Sequence, residues 1–186
     1  MTSQLRFRTV LALFGAAAAS VVAAIPAQAA TTGATTTTFA LTAGALAITA
    51  PSSASLGSGA TGSSSLTAAL GSVSVSDGRG ALLGSWTTSV SSTDFTTGAA
   101  SSNETITNAN IDYWSGASTA TTGTGTFTPG QLLAVNKVTL SASRTAFSAA
   151  AVVGNNSATF NPTAIVNVPS AAVAGTYTGT ITHSIA

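Results

Sequence analysis

Apolar and polar residues alternate along much of the chain beyond residue 39. In residues 158–168, the clearest example, one side carries Ala158, Phe160, Pro162, Ala164, Val166 and Val168. The other side is polar, and only Ile165 breaks the pattern. In residues 176–185 the apolar side carries Tyr177, Gly179, Ile181, His183 and Ile185, and Thr or Ser fills the other side. Alternation with a period of two predicts antiparallel strands with one buried and one solvated face.

Weaker alternation predicts further strands in residues 39–49, 66–76, 86–91, 105–113, 125–127, 131–142 and 144–151. Turn-forming residues separate these segments, at Asp77-Gly78, Pro129-Gly130, Gly154-Asn155-Asn156 and Ala174-Gly175. The pattern predicts an all-β domain of about nine short strands, either an antiparallel β-sandwich or a Greek-key barrel-like domain. Gly44 and Gly71 lie where the apolar phase slips, which is typical of β-bulges. A short helix in the alanine-rich residues 146–153 is the alternative to a strand there.

The first 29 residues have the three parts of a secretory signal peptide. Arg6 and Arg8 precede an apolar run over residues 10–25, Pro26 ends the run, and Ala27-Gln28-Ala29 offers a cleavage site. We expect cleavage after Ala29 and a secreted protein, extracellular or associated with the cell wall. Residues 30–38 are Thr-rich and predict a flexible tail, and residues 39–186 are long enough for a single domain.

Charge is scarce, at 5% of residues, and the formal net charge of +1 includes both signal-peptide arginines. The mature chain therefore carries a net charge of −1, with Arg79, Lys137 and Arg144 as its bases. So few bases cannot neutralise a phosphate backbone or an anionic lipid surface, which argues against nucleic-acid and membrane partners. About 31 threonines and 24 serines after residue 29 supply the polar surface instead.

Few residues are suited to catalysis. The chain has no cysteine and one histidine, His183, so neither a metal site nor a cofactor is expected. A serine hydrolase would need His183 with Asp94 or Asp112, but there is no Gly-x-Ser-x-Gly motif. We therefore expect a non-enzymatic protein in which His183 is half-buried and hydrogen-bonded to the backbone or to a tyrosine.

Asp77, Arg79 and Trp86 form the most distinctive group of candidate ligand-binding residues. Asp77 and Arg79 stand two apart at a predicted turn, and Trp86 begins the returning strand. They have a functional interpretation, in which an exposed indole stacks on a sugar while Arg79 donates to its hydroxyls. They also have a structural one, in which the ion pair braces a hairpin and Asp77 accepts from nearby backbone N–H groups. Trp114, next to Tyr113, is a further stacking candidate, because adjacent strand residues point to opposite faces.

Lys137 also has two interpretations. A lysine at the end of a strand is ordinarily a solvated side chain. The alternative is an intramolecular isopeptide bond to an Asn or Asp near Glu104 or Asp112, as in some bacterial adhesins.

Two segments resemble the WxL family of secreted bacterial surface proteins, in particular its actinobacterial branch. The first contains a Val-rich strand ending in Asp77-Gly78-Arg79-Gly80, followed by Gly84-Ser85-Trp86 and by Phe95; the second is Gly175-Thr176-Tyr177-Thr178-Gly179-Thr180. The family's two Trp-x-Leu motifs would fall on Trp86-Thr87-Thr88 and on His183-Ser184-Ile185. The resemblance implies an all-β fold and non-covalent attachment to the cell wall through peptidoglycan.

We therefore expect a secreted surface protein that binds peptidoglycan, another envelope glycan or other surface proteins. The alternative is a coat or fibre subunit that self-associates through exposed β edges. Its Thr-rich and Ser-rich strands lack the lysines that ordinarily prevent edge pairing.

Overall fold

A computed structural model describes residues 32–186 of the chain. The predicted signal peptide and its cleavage site lie outside these residues. Residues 32–38 of the predicted tail have no regular secondary structure and are exposed. Residues 41–186 form one compact unit.

Residues 32–186 fold into β-strands and three short 3-10 turns, with no α-helix among them. The strands are β1 Leu46–Thr49, β2 Ser65–Ala69, β3 Val73–Asp77, β4 Leu82–Ser92, β5 Phe95–Thr96, β6 Thr105–Ile106, β7 Ile111–Trp114, β8 Ser118–Pro129, β9 Val138–Thr139, β10 Arg144–Phe160, β11 Thr163–Asn167 and β12 Ile181–Ile185. The 3-10 turns are Ser102–Glu104, Asn108–Asn110 and Ala134–Asn136. All strand pairs are antiparallel, so the predicted all-β antiparallel fold is confirmed.

The larger sheet is built around β10, which is 17 residues long. One side of β10 pairs with β8 along most of its length. The other side pairs with β4 in its first half and with β3 in its second half. β1 joins β3, β12 joins β4, and β1 and β12 also contact each other, so the sheet is nearly closed and barrel-like.

The second sheet has the order β2-β11-β7-β9, and a hairpin-like pair, β5 and β6, lies beside the two sheets. The core combines inward side chains of both sheets, with Phe147 and Phe160 from the larger sheet and Ile111 and Tyr113 from the smaller one all fully buried. Stacked rings extend through it: the centroids of Phe147 and Phe160 are 5.0 Å apart, and Trp86 lies 6.2 Å from Phe147. Close aromatic packing of this kind compensates for the many alanines in the core.

Several predicted strands differ from the structure. The single strand predicted over residues 66–76 is two strands in different sheets. Gly71, with φ of 91°, lies in the short connection through which the chain passes from one sheet to the other, and it is not a bulge. The turn predicted at 154–156 and the helix alternative at 146–153 are wrong, because β10 runs through both. Residues 131–142 hold a 3-10 turn and the two-residue β9 where a long strand was predicted.

The alternation in residues 158–168 is confirmed, although the chain changes sheets within it. Ala158 and Phe160 are buried in β10, and Ala164 and Val166 are buried in β11. The sheet change occurs at Asn161 and Pro162, since proline cannot donate to a strand ladder. One side of the segment therefore stays in the core while the strand partners change.

Candidate functional site

Four side chains form a hydrogen-bonded chain from the surface into the core. The carboxylate of Asp77 accepts from Arg79 Nε at 2.8 Å and from Arg79 Nη2 at 3.0 Å. It also accepts from Asn156 Nδ2 at 3.1 Å. Asn156 Oδ1 in turn accepts from the indole Nε1 of Trp86 at 2.9 Å. Arg79 also donates to the carbonyl of Ser85 at 2.8 Å and so ties the β3–β4 connection to β4.

The electrostatics of this chain keep Asp77 ionised. Hydrogen bonds from the Arg79 side chain are the main cause. Together with those from the Arg79 backbone and Asn156, they outweigh burial and lower the pKa of Asp77 from 3.8 to about 2. Asp77 is 1% exposed, and its side chain also accepts from the backbone N–H of Arg79. The predicted ion pair and the hydrogen bond from a nearby backbone N–H are therefore confirmed. The predicted hairpin is wrong, because β3 and β4 each pair with β10 and not with each other.

Trp86 is 2% exposed, so the expectation of an exposed indole at this position is wrong. Its ring packs between Phe127 and Phe147, and its N–H is already bonded to Asn156. A buried and hydrogen-bonded indole cannot stack on a sugar. Sequence inspection missed Asn156, because a pair of asparagines after Gly154 is typical of a turn.

Trp114 lies at the end of β7 and is half-buried, whereas the preceding Tyr113 is fully buried. The two neighbouring aromatic residues do point to opposite faces, as their positions on a strand predict. Trp114 pairs with Thr163 of β11. Its part-exposed ring is the remaining tryptophan available for stacking.

His183 is half-buried on β12 and shares a hydrogen bond with Tyr113, with 3.0 Å between Nε2 and the hydroxyl oxygen. The sequence-based expectation of a histidine bonded to a tyrosine is confirmed. Burial lowers the pKa of His183 to about 4 and raises the pKa of Tyr113 well above its ordinary value. The imidazole is therefore neutral at physiological pH, and it lines a small cavity of about 170 Å³ beside Leu70 and Val73.

The two positions of the WxL-like motifs are brought together by strand pairing. β12 pairs with β4 so that Ile185 faces Thr88, and Thr87 and Ala186 exchange two backbone hydrogen bonds at 2.9 and 3.1 Å. Thr88 is fully buried, and its hydroxyl finds no hydrogen-bond partner in the described part of the chain. A hydroxyl in this apolar position weakens the core where an apolar residue would strengthen it.

A groove of about 620 Å³ lies between residues 54–66 and residues 172–179. Its apolar lining includes Leu56, Leu66 and Phe95, while Ser and Thr side chains contribute hydroxyl groups. The residues that line it carry no charge. Such a groove suits a neutral ligand and offers nothing to pair with an ionic one.

β8 forms an exposed edge of the larger sheet. It is 12 residues long, and 10 of them are exposed. Within residues 32–186 no strand pairs with the edge of β8 that faces away from β10. β8 contains no charged residue, and Thr and Gly make up most of it.

A second polar cluster surrounds Asp112 of β7, which is 9% exposed. Its carboxylate accepts from Lys137 Nζ at 2.7 Å, Asn167 Nδ2 at 3.0 Å and Thr139 Oγ1 at 3.1 Å. Burial alone would raise the pKa of Asp112, but the hydrogen bonds from Lys137, Asn167 and Thr139 outweigh it and hold the pKa below its ordinary value. The sequence had singled out Lys137 and Asp112 but not Asn167.

In residues 32–186 no group of three His, Cys, Asp or Glu side chains could hold a metal ion. The same residues contain no helix long and apolar enough to cross a membrane. Comparison with protein-family models, with curated proteins and with solved structures finds no match, so the resemblance to WxL proteins stays a prediction.

Proposed function

We propose that this protein is a secreted, non-enzymatic structural subunit of the cell surface that self-associates through the edge of β8. The observation that carries the proposal is the long, exposed and uncharged β8 edge. Natural proteins ordinarily protect such edges with lysines, prolines or short strands, because an open row of N–H and C=O groups pairs with another strand. β8 has only one of these protections, Pro129 at its end.

A second copy of the chain is the partner that best fits this edge. Pairing β8 antiparallel with β8 of another copy makes a two-fold symmetric contact and extends the larger sheet across the dimer. Irregularities in the pairing with β10 divide β8 into two regular stretches, which contain Ala120 and Thr126 respectively. Both residues are exposed, so a lysine at either position would lie where the partner strand pairs.

A second contact would extend such dimers into a coat or fibre. Leu82 and Leu83 are 80% and 70% exposed, and Leu82 pairs with Val153, which is 42% exposed. Contiguous exposed apolar side chains commonly mark contacts between proteins. This patch lies on β4 and β10 and is separate from the β8 edge.

Size-exclusion chromatography with light scattering tests the proposal. The mature chain should associate as concentration rises, and the double variant Ala120→Lys/Thr126→Lys should remain a monomer. Thr87→Lys is the matched control, because Thr87 is exposed on β4, whose neighbours β10 and β12 already pair with it. A strictly monomeric parent, or equal association of the β8 variant and the control, would contradict the proposal.

We also propose wall-glycan binding as the second candidate function, supported by the uncharged groove with its Ser and Thr hydroxyls. The test is a pull-down on purified peptidoglycan, comparing Ser58→Trp, which fills the groove, with Ser141→Trp, which is exposed elsewhere. Trp114→Ala tests stacking by the half-buried indole. Glycan binding is excluded if retention matches that of an unrelated secreted domain.

A further inference from the structure

Three neighbouring strands of the second sheet bring Lys137, Asp112 and Asn167 together. Asp112 on β7 pairs with Thr139 of β9 and with Ile165 of β11. Asn167 lies two positions from Ile165 in β11 and so projects on the same face as Asp112. Lys137 lies between the 3-10 turn Ala134–Asn136 and β9, two positions before Thr139. The ammonium of Lys137 and the amide nitrogen of Asn167 both reach Oδ2 of Asp112, at 2.7 and 3.0 Å.

We propose that Lys137 and Asn167 form an intramolecular isopeptide bond, and that Asp112 transfers the protons of the reaction. The proposal concerns a modification site and is independent of self-association through β8. It assigns to Asp112 a role beyond that of a partner in an ion pair.

The reaction needs no further reagent. Asp112 takes a proton from the ammonium of Lys137, and the freed electron pair on Nζ attacks Cγ of Asn167. The tetrahedral intermediate collapses as its C–N bond to Nδ2 breaks, and Asp112 returns the proton to the leaving nitrogen. Asp112 then relays the second proton, which Nζ still carries after its attack, to the departing ammonia. One Nζ–Cγ amide bond forms and one molecule of ammonia leaves as ammonium, so atoms and charge balance and the carboxylate is regenerated.

The arrangement supplies the features that such a single turnover requires. One carboxylate oxygen holds both the nucleophile and the leaving nitrogen, which replaces a random encounter by a fixed geometry. Asp112 is 9% exposed, and Thr139 holds its second oxygen, so the carboxylate is positioned by its neighbours. The reaction needs to occur only once in the lifetime of each molecule, so a slow rate is sufficient.

Tryptic digestion under denaturing conditions gives a direct readout, because trypsin cleaves after Lys and Arg and the region from residue 80 onward contains only Lys137 and Arg144. An unmodified chain gives separate fragments 80–137, 138–144 and 145–186. An isopeptide bond blocks cleavage after residue 137 and leaves fragment 80–144 joined to fragment 145–186. The joined species should weigh about 17 Da less than its two parts, which is the mass of ammonia.

The variants separate the covalent bond from the ion pair. Lys137→Arg retains the positive charge but cannot form the amide, and Asn167→Ala removes the acceptor, so both should give unjoined fragments without the mass loss. Asp112→Asn should slow or abolish joining. If the parent gives separate fragments of full mass, the proposal is wrong. A loss of about 18 Da, the mass of water, would indicate an amide between Lys137 and Asp112 and would equally overturn it.

Discussion

Replacing Asn156 with alanine breaks the buried chain between Arg79 and Trp86 at its centre. The variant loses the donor to Asp77 and the acceptor for the indole N–H of Trp86. Both partners are nearly inaccessible to water, with 1% and 2% exposure. A buried polar group without a partner costs about 1–3 kcal/mol. Asp77 retains its bonds to Arg79, so we expect the free energy of unfolding to fall by roughly 3 kcal/mol in total.

Urea unfolding monitored by tryptophan fluorescence measures this loss, and Asn155→Ala is the matched control. Asn155 is adjacent and of the same type, but it is exposed, so its replacement should change stability by no more than about 0.5 kcal/mol. The indole N–H of Trp86 should also exchange faster with solvent in Asn156→Ala. If the two alanine variants unfold at the same urea concentration, the buried chain does not contribute to stability as we reason.

Three further predictions concern pH and backbone geometry. Burial lowers the pKa of His183 in the folded protein to about 4, from 6.5 in the unfolded chain. The contribution of His183 to the free energy of unfolding is therefore fully present above pH 6.5, and the free energy of unfolding falls by roughly 1–3 kcal/mol as the pH is lowered to 4. His183→Gln should remove this fall when urea unfolding is measured across the same pH range. The pKa of folded Asp77 is about 2 instead of 3.8, so its contribution is present above pH 4 and is lost below it. Solvent screens the half-exposed Arg79 and reduces the effect. Between pH 4 and 2 the free energy of unfolding of the parent should therefore fall by roughly 1–2 kcal/mol more than that of Asp77→Asn, as acid unfolding would measure. Gly123→Ala should lower stability by about 2 kcal/mol in thermal unfolding, because φ is 84° and a Cβ would lie 2.7 Å from the carbonyl oxygen of Asn155; Gly33→Ala, where a Cβ meets nothing within 4 Å, should have no effect.

Strands were predicted most accurately from the sequence where one face of the strand is buried and the other is exposed. The alternation around Phe160 and around Ile181 is visible because side chains on one face contact the core and those on the other contact water. β8 was predicted only over residues 125–127, since both of its faces are largely exposed and no apolar period can arise. The long strand predicted over residues 131–142 is wrong for the opposite reason. Leu133 and Val135 are apolar and indicate a buried face, but they are 58% and 84% exposed.

Contacts between side chains were beyond sequence inspection where strand register creates them. Asn156 contacts Asp77 only because β10 and β3 pair with these two residues directly opposite each other. Asn167 reaches Asp112 through the register of β11 and β7. The Asp77–Arg79 pair was predictable, since two residues on one turn are neighbours whatever the remaining chain does.

The pairing of β12 with β4 has a consequence for how the protein folds. Thr87 and Ala186 are bonded through their backbones although they are about 100 residues apart in the chain, and β10 between them joins three other strands. Such non-local pairing raises the contact order, and the loop-closure entropy has to be overcome before the contacts form. The larger sheet therefore cannot be completed before residues 181–185 are available to pair with β4, and we expect it to form slowly. A chain that crosses a membrane before it folds would benefit from this delay.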